Sequence, residues 1–379
     1  MRVLSAPLRL SAPLLAALFA IGLVSSRASA ETITLGMVVG TTGAFAGGEA
    51  PLVNGTKLAV EDLNRKGGIG GNKIELSIED TGSEQTGAIN AFNRVVGQSP
   101  VAIMDTTLSG FVLSQIGMIE DAGIPTLTGA ASAQLAPGRK GVEALFRVRT
   151  NDELVAAAAA RFGLDNLGAK KIAVLRINNE YGNGWLHMIE ATLKERGLAP
   201  ATVESYEGAD RDLTPQLLRI RNVDADALIV VGDPPNQVVA VQQIRQLGVK
   251  AKVIVSNAGV LPTTIKLYQA DASNGIYGTV DSLPAADGAH SEWSDRYRAA
   301  YHIEPDYSAA EYYDGVMMVA AAIAKVGTGN EALVKELRTV RDYAGIGNSY
   351  SFADKGDGGR SVAIVQLEDG KVKLAAIIK

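Results

Sequence analysis

Along residues 32–256, short β-branched apolar runs alternate with longer stretches whose apolar positions repeat at helical spacing. The pattern predicts strands at 32–39, 74–79, 101–104 and 124–127, separated by helices at 51–66, 86–96 and 111–122. In the first of these helices Leu52, Val53, Leu58, Ala59, Val60 and Leu63 gather on one face. The rhythm restarts near Thr150-Asn151, with helices at 152–164, 184–196 and 236–247 and strands at 171–177, 202–206, 227–231 and 252–256. A further helix begins at Thr214, read as its N-cap, with Pro215 at the first helical position. The tail differs: helices at 291–301, 309–326 and 331–340 precede strands at 350–352, 362–367 and 372–378. The last two read as a hairpin turning at Asp369-Gly370. Strands that are continuously apolar and separated by helices belong to parallel sheets covered on both faces. The expected fold class is therefore α/β, with two doubly wound parallel-sheet lobes.

Composition narrows the function. Arg2 and Arg9, the apolar stretch Leu10 to Val24 and the small residues Ala28-Ser29-Ala30 read as a secretory signal over 1–30, cleaved after Ala30. The expected product starts at Glu31 and has 349 residues, more than one hydrophobic core usually organises. The chain contains no cysteine, which excludes disulfides, thiol catalysis, thiolate metal sites and a lipid anchored on an N-terminal cysteine. The periplasm is thus the expected location. Without the three signal arginines, 33 Lys and Arg face 41 Asp and Glu, and no basic block occurs. Such an acidic chain is a poor partner for nucleic acid or anionic lipid.

Ligands of open parallel sheets bind beyond the carboxyl ends of the strands. Those loops are Gly40 to Phe45, Asp105 to Gly110 and Thr128 to Ser132 in the first half, and Asn178 to Gly182, Gly232 to Pro235 and Asn257 to Gly259 in the second. Ser and Thr hydroxyls beside free amides at a helix start suit an anion such as a carboxylate, although plain N-caps use the same residues. No catalytic constellation appears. His187, His290 and His302 lie far apart, no Gly-x-Ser-x-Gly elbow occurs, and the glycines at 67–71 follow a helix rather than a strand, unlike a dinucleotide fingerprint. Asp354 to Gly359 lacks the spacing and distal glutamate of a calcium loop and reads as a turn. No enzyme, metal or cofactor is expected.

The run Glu61-Asp62-Leu63-Asn64-Arg65-Lys66-Gly67-Gly68-Ile69-Gly70-Gly71-Asn72-Lys73-Ile74 resembles the signature of the periplasmic branched-chain amino-acid-binding proteins. Glu79-Asp80-Thr81, Glu120-Asp121-Ala122-Gly123-Ile124-Pro125, Tyr181-Gly182-Asn183-Gly184 and Asp354-Lys355-Gly356-Asp357 extend the likeness over residues 31–379. These proteins are substrate-binding components of ABC importers, and their fold is the type I periplasmic-binding fold of two lobes joined by three crossovers. The resemblance implies crossovers near 149–150, 280–281 and 350–351, hence lobe one at 31–149 plus 281–350 and lobe two at 150–280 plus 351–379. It implies a monomer that closes on a small carboxylate-bearing solute and delivers it to ABC permease subunits in the membrane. It places the ligand carboxylate against Ser109, Ala130 and Ser132, and brings Tyr181 in from the second lobe. The family's amino-acid binders often carry a glutamate for the ligand ammonium where this chain has Ala258, and often an aromatic where it has Asp233. Asp233 then either meets the ligand or caps the next helix, and Phe45 either lines the pocket or simply packs. An aromatic-acid or amide- or urea-type solute, or a ligand-sensing receptor module, are the alternative readings.

Overall fold

The computed structural model describes residues 32–269, 271–281, 288–346, 348–353, 357–360 and 362–378, together with Met1 and Val3. The expected secretory signal and part of the turn at Asp354 to Gly359 lie outside the described residues. The chain begins with β1 (Thr32–Val39), α1 (Ala46–Arg65), β2 (Lys73–Asp80), α2 (Gln85–Val96), β3 (Ala102–Asp105), α3 (Ser109–Ala122), β4 (Thr126–Thr128) and β5 (Leu145–Arg147). These five strands form one all-parallel sheet in the order β2-β1-β3-β4-β5. Next come α4 (Asp152–Arg161), β6 (Ile172–Ile177), α5 (Glu180–Lys194), β7 (Thr202–Tyr206), α6 (Thr214–Asn222), β8 (Ala227–Val231), α7 (Pro234–Gln246), β9 (Lys252–Val255), α8 (Pro262–Ile265) and β10 (Tyr277–Val280). The chain then runs through α9 (Gly288–Tyr301), α10 (Tyr307–Val326), α11 (Asn330–Leu337) and the small hairpin β11 (Tyr343–Ala344) and β12 (Ser349–Tyr350). It ends with β13 (Val362–Glu368) and β14 (Lys371–Ile378). The second sheet has the order β14-β13-β10-β9-β8-β6-β7, parallel except for its last hairpin.

Strand side chains alternate between faces, so a strand covered by helices on both sides feeds two cores. Ile33, Leu35, Met37 and Val39 of β1 pack towards α1 and α10, whereas Val38 joins the core under α2 and α3. In the second sheet Ala173, Leu175 and Ile177 face α6 and α7, and Ile172 and Val174 face α4 and α5. The chain crosses between the sheets three times: after β5, after β10 and after β12. The fold class read from the sequence is the one observed.

The glycine-rich run after α1 is structural. Gly67, Gly68, Gly70 and Gly71 all have positive φ, and a Cβ on Gly68 would sit 1.9 Å from the Asn72 carbonyl oxygen. The Gly68 amide donates to the Leu63 carbonyl at 2.9 Å, closing the helix, while Asn64 exchanges two hydrogen bonds with the Ile74 backbone and pins the start of β2. The closing hairpin turns at Asp369 and Gly370, both at positive φ as a type I′ turn requires.

Several expectations shift, α5 among them, which runs from Glu180 rather than from 184. Helix α1 starts five residues before Pro51, because turn bonds from the Gly48 and Glu49 amides to the Phe45 carbonyl already wind the chain. Leu213, not Thr214, holds the N-cap position of α6, although Pro215 still lies in its first turn. Strands β5 and β10 escape the sequence pattern. Only three or four residues long, they are set by sheet pairing rather than by a readable apolar run.

Helices α1 and α10 pack so closely that a Cβ on Gly55 would lie 2.0 Å from the Ala309 carbonyl oxygen. Gly55→Ala should therefore cost about 1–3 kcal/mol or more by overpacking, seen as a lower urea midpoint at unchanged slope. Gly71→Ala, at positive φ but in open space, should cost only about 1–2 kcal/mol.

Candidate functional site

Each sheet changes winding direction once. Strands β1 and β3 send α1 and α3 to opposite faces, and β6 and β8 do the same with α5 and α7. At such points the loops after neighbouring strands splay apart and leave a crevice. Here the two crevices form one cavity of about 350 Å³. The first sheet contributes Phe45, Glu49, Thr107, Leu108 and Ser109 to its lining; the second contributes Asn179, Tyr181, Asp233 and Asn257. Arg149, Tyr307 and Ser308, close to the crossings, complete it. The two sides meet at the rim. A Cβ on Gly110 would lie 3.3 Å from a Glu180 carboxylate oxygen, and one on Gly48 would lie 3.5 Å from Pro234.

Of the six residues expected at a site, four line this cavity: Phe45, Ser109, Tyr181 and Asp233. Phe45 stacks edge-on against Phe111, with centroids 6.4 Å apart. Ser109 opens α3, where the first amides have no intrahelical acceptor. Tyr181 packs edge-on against Trp185, and burial pushes its phenol well above the usual range, which keeps it a neutral donor. Asp233 occupies the N-cap position of α7 with suitable backbone angles, yet its side chain makes no capping bond. Burial lifts its carboxyl to about 6. Ala130 and Ser132 do not line the cavity. Both are fully buried one layer behind, where their carbonyls accept from the Arg147 guanidinium at 2.9 and 2.7 Å. The Ser132 amide donates to Ser109 Oγ at 3.3 Å, so this layer supports Ser109 from beneath.

Sequence reasoning passed over Glu49, Arg149 and Tyr307. Glu49 is buried and ties two loops together, accepting from the Gly40 amide at 2.5 Å, the Thr107 amide at 3.1 Å and the Thr106 hydroxyl. Burial outweighs these donors and raises its pKa. A lone acid among small and apolar residues at 46–53 was the available signal. Arg149 forms a buried ion pair with Asp281, Nε to Oδ2 at 2.8 Å, and its guanidinium lies 5.4 Å from the Tyr307 ring centroid. Asn257 Nδ2 donates to the same aspartate at 2.5 Å. These partners are distant in sequence, and no local pattern announces them.

The loop carrying Phe45 is set by Asp80, whose carboxylate accepts from the Thr41 and Thr42 amides at 2.8 and 3.2 Å, from the Thr42 hydroxyl at 2.5 Å and from the Gly82 amide at 2.9 Å. Partial burial alone would raise its pKa, but the Thr42 hydroxyl and these amides hold it far below the usual carboxylate range. A depressed pKa stabilises the fold at pH values above the ordinary 3.8, and that contribution fades as the pH falls below it. Asp80→Asn should lower stability by about 1–2 kcal/mol at neutral pH. In urea titrations repeated at successively lower pH, the gap to the parent protein should narrow below that value.

Comparison with known proteins agrees with this architecture. The sequence profile of the periplasmic binding protein family matches residues 32–371. A Leu/Ile/Val-binding protein of Rhizobium johnstonii is 25% identical over 346 residues, 90% of this chain and 94% of that protein. A leucine-, isoleucine-, valine-, threonine- and alanine-binding protein of Pseudomonas aeruginosa is 24% identical, covering 91% and 92%. Among solved structures, a leucine-binding protein of Thermotoga maritima superposes with a TM-score of 0.83 at 26% identity, over 91% of this chain and 98% of that one. A solute-binding protein of an ABC transporter from R. palustris, solved with benzoate, reaches 0.82 at 16% identity over 91% and 96%. At that identity the likeness extends to the fold alone.

Proposed function

This chain belongs to the periplasmic binding protein family, and from that premise we propose that it is the solute-binding component of an ABC importer. It captures a small carboxylate-bearing solute, a branched-chain or other amino acid, between its two halves. The observation that carries this reading is the cavity built jointly by the carboxyl ends of both sheets, at the winding reversal of each. A molecule lodged there touches residues from both sheets, so it favours the arrangement in which the two sides are together.

On this reading lobe one is 31–149 with 281–350, and lobe two is 150–280 with 351–379; the lobes rotate about the three crossings. Ser109 and the amides at the start of α3 take the solute carboxylate. Ala130 and Ser132 hold that loop, Tyr181 closes over the ligand from the other lobe, and Phe45 packs against its apolar part. The protein acts as a monomer in the periplasm after its signal is removed at Ala30. It makes and breaks no bond, and hands the solute to membrane permease subunits. The Leu/Ile/Val-binding relatives support an amino acid as the cargo. Among the described residues no helix is long and apolar enough to cross a membrane, in keeping with an exported binder that reaches its permease from outside.

A thermal-shift screen of amino acids against the purified protein tests the assignment. The cognate solute at about 100 times its Kd should add about 2.7 kcal/mol of stability and raise Tm by several degrees, with a smaller radius of gyration in small-angle scattering. Ser109→Ala should weaken that solute by about 10-fold in calorimetry, whereas Ser132→Ala, one layer removed, should cost less.

A further inference from the structure

The charge balance of the cavity lining is lopsided. Its charged residues are Glu49, Arg149, Glu180 and Asp233. Arg149 is the cation among them, and it is already neutralised: both its Nε and Nη2 reach Asp281, at 2.8 and 3.3 Å. Glu49 is occupied by the donors of two loops. Glu180 is exposed at the rim, beside Gly110 at the start of α3. Asp233 alone has neither role. Its carboxylate makes no hydrogen bond or ion pair with any described residue; Pro234 and Pro235 carry no N–H, and the first amide of α7, that of Asn236, is left untaken by it. An N-cap aspartate normally takes an amide at the second or third helical position. Here it lines the cavity instead, with burial as the resolved perturbation of its acidity.

A partly buried carboxylate without a counterion is costly unless a cation arrives with the ligand. We infer that Asp233 is the specificity-determining residue of this site and receives a cationic amine of the solute, so that anions lacking an amine are rejected. This rests on the solute-binding reading above and deepens it. It also answers the alternative left open by the sequence, where Ala258 removes the glutamate expected for an ammonium. The cation site moves to the neighbouring loop, and the rest of the solute meets apolar lining residues such as the Phe45–Phe111 pair.

Matched triplets test the assignment in calorimetry and thermal shift: leucine, isocaproate and isoamylamine, then phenylalanine, hydrocinnamate and phenethylamine. The same triplets are run on the parent protein, Asp233→Asn and Asp233→Ser, the last a neutral N-cap that guards against a folding defect. Because Asp233 makes no capping bond, both variants should melt close to the parent without ligand. Every compound that binds the parent should carry an amine, and both variants should weaken it by about 10-fold or more. An acid that binds the parent as well as its amine-bearing counterpart overturns the assignment, as does an amine bound by both variants within about threefold of the parent. Silence across all triplets, in the parent as well, removes the solute-binding reading and this assignment with it.

Discussion

Two guanidinium groups taken out of water hold the halves of this molecule together. A buried arginine is tolerated only when it is paired and hydrogen-bonded. Arg147 and Arg149 meet that demand by reaching into all three crossings. Arg147 bonds the carbonyls of Ala130 and Ser132 and pairs with Asp357 at 2.8 Å, in the stretch leading to β13. Arg149 pairs with Asp281, just past β10. Their own carbonyls accept from the Gly358 and Gly359 amides at 2.9 and 3.1 Å. Segments more than 100 residues apart are thereby fixed within one hydrogen-bonded cluster. Breaking such a pair leaves a buried charge without a partner, at about 3–5 kcal/mol. The crossings are therefore bound into one firm cluster.

The cavity follows from strand polarity. In a parallel sheet every strand delivers its following loop to the same edge, and the winding reversal parts two of those loops. One sheet alone offers a shallow notch. Two sheets that share the Arg147–Arg149 cluster turn such edges towards each other, and the notches join into one cavity. Glu49 and Asp80 refine one wall by bonding loop amides, so the first half presents a preset surface.

How much of this the sequence disclosed depends on the range of each interaction. Local rules located β7 and β8 to the residue, the Asp369-Gly370 turn and the glycine stop after α1, because each depends on neighbours within a few positions. The apolar rhythm likewise gave two doubly wound sheets. It missed β5 and β10, whose pairing partners lie elsewhere in the sheet. The same limit governed the site. Loops at strand ends were readable, and with them Ser109, Tyr181 and Asp233. The Glu49 bonds to Gly40 and Thr106 and the Arg149–Asp281 pair were not, since each joins segments brought together only by folding. Layering was equally hidden. Ser109 and Ser132 look alike in sequence, but only Ser109 borders the cavity, with Ser132 beneath it.

The unpaired Asp233 carboxylate has a consequence for how closure and selection are linked. Burial already lifts its pKa to about 6, and on the proposed reading closure of the halves would remove further water from it. Without a cation that desolvation works against the closed arrangement. With one, the same carboxylate gains a charge-assisted bond in a medium where it is strong. A ligand shifts a conformational equilibrium only by its differential affinity for the two states. A solvated Asp233 in an opened cleft would gain little from an ammonium, because water already serves both charges. The difference between the states is therefore largest for a solute with an amine. An amine-free acid would add a negative charge to the same water-poor space and oppose closure. On the proposed solute-binding reading, one residue would in this way couple recognition of charge to closure of the halves.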